Sequence, residues 1–156
     1  MMEHQYEHYY IAFIDVLGFR NMIEKRTFDE IVELYKSIKR MKYLHKEIIG
    51  DDGGRIGIPV VQMDEIHIKV MSDSICIFVR SDIPGSLFAL TFMCLEFQAR
   101  MLELDTPVLL RGAITKGNLF SDQDLVFGPA FVKAYLMEEK NASVPRIIIA
   151  GETVEE

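Results

Sequence analysis

Tyr9-Tyr10-Ile11-Ala12-Phe13-Ile14-Asp15-Val16-Leu17-Gly18-Phe19 is the stretch on which the fold turns. Its first six residues are aromatic, β-branched or small, the composition of a short buried strand. The run stops at Asp15, a carboxylate set against apolar neighbours. Such a group is costly to bury unless it is paired.

Working outward, Ile31, Leu34, Tyr35, Ile38 and Met41 recur at spacings of three and four. Charges lie between them, which predicts an amphipathic helix over about 28–49. Gly50-Asp51-Asp52-Gly53-Gly54 ends it as a loop to which no chemistry is assigned. Segments 66–71 and 74–79 read as two strands about Ser72-Asp73, with Ile66, Ile68 and Val70 alternating with His67 and Lys69. A tight polar turn between two strands makes a hairpin. After Pro84-Gly85 comes a broadly apolar helix over 87–104, with Leu87, Leu90, Cys94, Gln98 and Met101 along one stripe. A strand follows at 108–114, then a loop around 118–123 and a short strand at 125–127. Gly128-Pro129 opens a helix to about 140, since proline suits the first turn. A last strand is expected at 146–150.

The order is strand, helix, hairpin, helix, hairpin, helix, strand. Its opening part is βαββαβ, the ferredoxin-like ordering. The expected fold class is therefore α+β, one antiparallel sheet with helices on one face. No repeat or linker divides the chain, so a single domain over 1–156 is expected.

Composition narrows the classes. The 156 residues carry 17 Lys and Arg against 24 Asp and Glu, a net charge of −7 that argues against a general nucleic-acid-binding surface. Hydrophobic residues make up 49% and charged residues 26%, which is globular rather than disordered. No apolar run approaches the roughly 18 residues of a membrane span, and the N-terminus lacks a secretory pattern. Cys76 and Cys94 sit in apolar segments without CxxC spacing. They read as buried thiols of a reducing compartment, so a cytoplasmic protein with no membrane or nucleic-acid partner is expected.

Two acids carry the chemistry. In a ferredoxin-like order the first strand and the hairpin turn lie side by side, which brings Asp15 and Asp73 together. Neighbouring carboxylates repel, so one gains a proton or a cation joins them. Magnesium with oxygen ligands and a bound phosphate is the usual cation solution. The plainer alternative is that one acid caps a helix while the other forms a turn. Leu17-Gly18-Phe19 stands at a strand-to-helix junction, where backbone N–H groups can hold phosphate oxygens.

These residues resemble a family. Phe13-Ile14-Asp15-Val16-Leu17-Gly18-Phe19 is similar to the FxDxxGF motif of class III nucleotidyl cyclases. Lys69-Val70-Met71-Ser72-Asp73-Ser74 resembles their second metal motif, and Arg111-Gly112-Ala113-Ile114-Thr115-Lys116-Gly117 their RxGIHTG segment. Phe127-Gly128 and the helix through Ala134 to Glu138 fall where they have WGxxVNxAxRxE. The resemblance runs from about residue 9 to 150. Its variant resembles the bacterial pyrimidine cyclases of Pycsar antiphage systems, which make cyclic CMP or cyclic UMP for a downstream effector.

The resemblance implies that Asp15 and Asp73, with the Val16 carbonyl, hold two Mg²⁺ or Mn²⁺ ions. It implies that the N–H groups of Leu17, Gly18 and Phe19 cradle the phosphates of a nucleoside triphosphate, that Arg111 contacts phosphate and that Lys69 reads the base. For Arg111 the plainer alternative is a surface salt bridge. For Lys69, as for His67 and Glu65 on its face, it is a solvated strand side chain. A head-to-tail homodimer with shared active sites is also implied. The departures are Val132 and Leu136 in place of the family's Asn and Arg, and Leu125 in place of the Asp that pairs with adenine. Lys133, Lys140 and Arg146 are open as substitutes for the arginine. Tyr43 and Tyr135 are candidate base or phosphate contacts, with a core role as the alternative. The chain ends at Glu156, soon after the last strand, where members usually continue, so a C-terminally short or reduced member is expected. Two other readings stay open: a degenerate cyclase fold that binds nucleotide or dimerises, and a palm-type cyclic dinucleotide synthase, although Ser72-Asp73-Ser74 fits the cyclase variant better.

Overall fold

The computed structural model describes residues 5–49 and 61–155, of which 41–49 and Met63 by backbone only. The glycine cluster at 50–54 and the side chain of Tyr43 lie outside the described residues. The chain runs β1 (Glu7–Val16), α1 (Phe19–Lys25), α2 (Phe28–Ile49), a 3-10 turn (Met63–Glu65), β2 (His67–Met71), β3 (Ser74–Arg80) and α3 (Ser86–Leu102). It continues with β4 (Leu110–Ser121), β5 (Val126–Phe127), α4 (Pro129–Asn141), β6 (Ile147–Ile149) and α5 (Gly151–Val154). The sheet order is β2-β3-β1-β4-β5, with β6 paired to β4.

β1 is central, and its alternation divides the molecule into two cores. Tyr10, Ala12, Ile14 and Val16 point to one face, where they meet Leu34 and Ile38 of α2 and Leu90, Met93, Cys94, Phe97 and Met101 of α3. Tyr9, Ile11 and Phe13 point to the other, where they meet Cys76, Phe78, Leu119 and Ala130 and Ala134 of α4. A strand buried on both faces reads as a continuous apolar run, which is why it stood out in the sequence.

The βαββαβ core and its α+β class are as expected, but three details differ. Helices cover both faces, not one: the small residues Ala130 and Ala134, 1% and 0% exposed, let α4 lie close on the second face. β6 pairs with β4 in parallel, so the sheet is mixed. β4 extends to Ser121 through the expected loop, because it pairs with β1 without a break from Val16↔Leu110 to Glu7↔Leu119. There the ladder overrides the local polarity of Thr115, Lys116 and Asn118.

A helix start after Gly18 is as expected, but α1 is a separate short helix ahead of α2. It is seven residues long, too short for periodicity, and follows Gly18 in the left-handed region at φ 72°. α2 is entered through a capping box: the Thr27 N–H donates to Glu30 Oε2 at 2.7 Å, and the Glu30 N–H donates to Thr27 Oγ1 at 3.4 Å. Cys76 and Cys94 are both buried and free, one in each core. Burial pushes the Cys94 thiol up to about 12 and raises Cys76 too, so both stay protonated. Among the described residues no helix is long and apolar enough to cross a membrane.

Candidate active site

The end of β1, the β2–β3 turn and the start of β4 converge at one end of the sheet. Asp15 lies opposite Ser74 on β3 and opposite Arg111 on β4. Ser72 and Asp73 form a two-residue turn closed by the Met71↔Ser74 pair. Ser72 takes φ 56°, the positive value that the primed hairpin turns require at this position. Two bonds fix the turn. The Val16 N–H donates to the Asp73 carbonyl at 2.9 Å, and the Tyr35 hydroxyl of α2 donates to the Ser72 carbonyl at 2.5 Å. The expected meeting of Asp15 and Asp73 thus follows from strand register, with Val16 between them.

Asp15 occupies an odd position of β1, so its carboxylate lies on the α4 face. Arg111 Nε donates to Asp15 Oδ2 at 3.3 Å and is also ion-paired with Glu138 Oε1 of α4. Glu138 is 3% exposed and continues the inner stripe of Ala130 and Ala134. Burial raises the pKa of Asp15; the Asp73 charge adds to this and Arg111 opposes it. Burial also raises Glu138, with Asp15 adding and Arg111 again opposing. Tyr35 is raised by burial and by Asp73. Two acids, Asp15 and Glu138, thus share one arginine, and the Asp73 charge acts on Asp15 beside them, a locally anionic end that favours a cation.

The donor set fits a hard divalent ion. Among the described residues no three His, Cys, Asp or Glu side chains gather as a complete metal cage. An ion at Asp15 and Asp73 would take its other ligands from backbone carbonyl, water and substrate phosphate, the usual habit of Mg²⁺. Both side chains are carboxylates, hard oxygen donors rather than the imidazole or thiolate that would select other metals.

The remaining expected residues are placed less uniformly. The Leu17 N–H donates to the Leu109 carbonyl at 2.9 Å, so it is engaged in the sheet rather than open to phosphate. Gly18 and Phe19 begin α1, whose first turn has no acidic side chain. Lys69 lies on the α4 face of β2, but its Nζ is on the loop joining β4 to β5. It donates to the carbonyls of Asp122 at 2.7 Å, Leu125 at 2.9 Å and Gln123 at 3.4 Å. Asp122 Oδ1 accepts the N–H groups of Asp124 and Leu125, which holds those carbonyls in place. Lys69 is therefore tethered, not solvated, and its neighbour His67 stacks on Phe78 at 5.1 Å.

Val132 and Leu136 are 53% and 38% exposed on the outer face of α4, beside a groove of about 840 Å³ with Tyr6, Phe127 and Lys140. Of the candidate substitute cations, Lys133 is ion-paired with Glu152, and Arg146 donates to the Asn141 carbonyl at 2.5 Å. Lys133 and Lys140 both line that groove. Tyr135 packs edge-on against Phe13 at 5.6 Å but is 43% exposed, so it lies at the edge of the second core rather than within it. Glu138 received no role from the sequence. Its signal was a lone acid at the third position of an Ala-x3-Ala-x3-Glu stripe facing the core.

The same architecture occurs in solved nucleotidyl cyclase structures. The catalytic core of a rhodopsin-guanylyl cyclase with converted specificity, solved with ATPαS, superposes with TM-score 0.71 at 12% identity. The match covers 96% of this chain and 79% of that one. The chain has the fold of a nucleotidyl cyclase catalytic domain. An adenylyl cyclase from P. aeruginosa gives 0.58 at 16% identity, again covering 96% and 79%. The GGEEF domain of a diguanylate cyclase from Vibrio cholerae gives 0.53 at 10% identity, covering 92% and 83%. No family model matches the chain, and no curated protein is significantly similar to it.

Proposed function

We propose that the protein is a divalent-cation-dependent nucleotidyl cyclase. It converts a nucleoside triphosphate, CTP or UTP, to a 3′,5′-cyclic nucleotide and pyrophosphate, as a cytoplasmic alarm signal in antiphage defence read by a cyclic-nucleotide effector. The observation that carries the reading is the register-fixed pair Asp15 and Asp73 beside Arg111, at one end of a cyclase-type sheet.

In this reading Asp15, Asp73 and the Val16 carbonyl hold the Mg²⁺ or Mn²⁺ ions, which supply charge neutralisation and ease ionisation of the ribose 3′-hydroxyl. The 3′-hydroxyl gives its proton to solvent water, its oxygen attacks the α-phosphorus, and the bond from that phosphorus to the α–β bridging oxygen breaks as pyrophosphate leaves. The N–H groups of Gly18 and Phe19 receive β- and γ-phosphate oxygens, and the Gly18 backbone leaves room for them. Arg111 stabilises charge on the transferring phosphate, the kind of fixed electrostatic contact that lowers such barriers. Lys69 donates to the base once the loop carbonyls release it, and a pyrimidine O2 is an acceptor of the same kind. Leu125 offers no side-chain acceptor for an adenine amine, which favours a pyrimidine. Two copies pair head to tail, so that the outer face of α4 meets the partner's phosphate site.

One observation favours a second reading. Val132 and Leu136 present apolar surface where the resembling family has its Asn and Arg. A catalytically silent nucleotide-binding and dimerisation module would need neither of those side chains.

The test is product analysis by mass after incubation with each of the four nucleoside triphosphates and Mg²⁺ or Mn²⁺. Cyclic CMP or cyclic UMP is expected, and none from a folded Asp73→Asn variant. A dinucleotide would point to palm-type synthesis, and no product under any condition to the binding module.

A further inference from the structure

Arg111 is held by two carboxylates from different elements, and both contacts fall on its Nε. One of them, Asp15, is the group assigned above to a divalent cation. The other, Glu138, is 3% exposed in a stripe whose other members are alanines. Neither shape nor apolarity asks for an acid there. Asp15 cannot serve fully both as counter-ion to a guanidinium and as ligand to a dication, because the two positive charges repel at such range. With Asp15 as its only partner, Arg111 would have to leave the site or keep the cation out. With Glu138 behind it, the guanidinium has a second anion that is fixed on a helix and shielded from water.

We infer that Glu138 is the standing anchor of Arg111, a positioning residue that holds the guanidinium when a divalent cation takes Asp15. This rests on the assignment of the cation to Asp15. The buried anchor keeps Arg111 beside the phosphate position in both states, so cation entry costs one contact rather than the placement of the arginine. Partners that orient metal-site groups typically alter metal affinity by about 10–100-fold when removed.

The experiment is a Mn²⁺ titration of the full chain without nucleotide, read by the electron paramagnetic resonance of free Mn²⁺, with circular dichroism to confirm folding. Glu138→Gln is expected to weaken Mn²⁺ binding about tenfold, because Arg111 then competes for Asp15 alone. Adding Arg111→Gln to that variant is expected to restore binding to at least the wild-type level, since the competitor is gone. Arg111→Gln alone, which leaves the Glu138 carboxylate in place, is expected to bind Mn²⁺ no more weakly than wild type.

Unchanged binding in Glu138→Gln, or a loss that Arg111→Gln does not recover, would overturn the anchor role while leaving the cation assignment intact. If Glu138→Gln does not fold, the Arg111→Gln single variant decides, and weaker binding there overturns the inference. Absence of Asp15-dependent Mn²⁺ binding in the wild type would overturn both the anchor role and the cation assignment beneath it.

Discussion

Gly128→Ala is the substitution whose cost the structure defines best. Gly128 joins β5 to α4 and takes φ 149° and ψ 173°, a region open essentially to glycine alone. Placing another residue there costs about 1–3 kcal/mol. A Cβ would also fall 2.6 Å from the Asn118 carbonyl oxygen and 2.9 Å from Leu119 Cα, where ordinary contact begins at 3.4 Å. Both neighbours are backbone of β4, paired along its length with β1, so neither yields readily. Overpacking of this kind adds about 1–3 kcal/mol. The two effects together come to about 2–6 kcal/mol, and a domain of this size loses roughly 2–4 °C of Tm per kcal/mol. A fall of about 5–20 °C is therefore expected by thermal circular dichroism. Gly18→Ala is the matched control. Gly18 also has positive φ, 72°, but nothing lies within 4 Å of its would-be Cβ. Only the left-handed penalty of about 1–2 kcal/mol applies there. A Gly128→Ala protein that melts at or above the Tm of Gly18→Ala would refute the close approach of the Gly128 backbone to β4.

Two further predictions concern the charged groups. Asp15 has a raised pKa, so the stability it contributes is fully present below its unfolded value and is lost as pH rises through its folded value. In chelator, Asp15→Asn should melt like wild type in acid and gain an advantage as pH rises above the ordinary aspartate range; a variant less stable at every pH contradicts the burial and crowding of that carboxylate. Lys69→Met removes the ammonium that gathers the carbonyls of Asp122, Gln123 and Leu125, so amide exchange over 122–125 should quicken while that of β1 is unchanged, as read by mass spectrometry. Unaltered exchange in that loop would remove the tether.

What the sequence revealed divides along physical lines. β1 was legible because a strand buried on both faces leaves an uninterrupted apolar run, and the turn at Ser72-Asp73 because alternation on either side brackets it. The Asp15 and Asp73 pairing followed from the order of elements, since register does the rest. α4 covering the second face was not legible: its stripe is alanine and glutamate, weakly apolar, and only the close approach shows what it covers. The reach of β4 through Asn118 was hidden because pairing, not composition, makes that segment a strand. Lys69 on loop carbonyls and Arg111 between two acids are long-range contacts that spacing along a chain does not encode.

The most direct test of the central reading is ³¹P NMR of the products formed by the wild-type protein from CTP and from UTP with Mg²⁺ or Mn²⁺, recorded at completion after the paramagnetic Mn²⁺ has been removed on a chelating resin. Cyclisation at an Asp15 and Asp73 site predicts a cyclic phosphodiester signal and pyrophosphate in equal amounts, both absent with Asp73→Asn. Triphosphate signals unchanged with either nucleotide and either ion, or the appearance of inorganic phosphate without a cyclic ester, would contradict it.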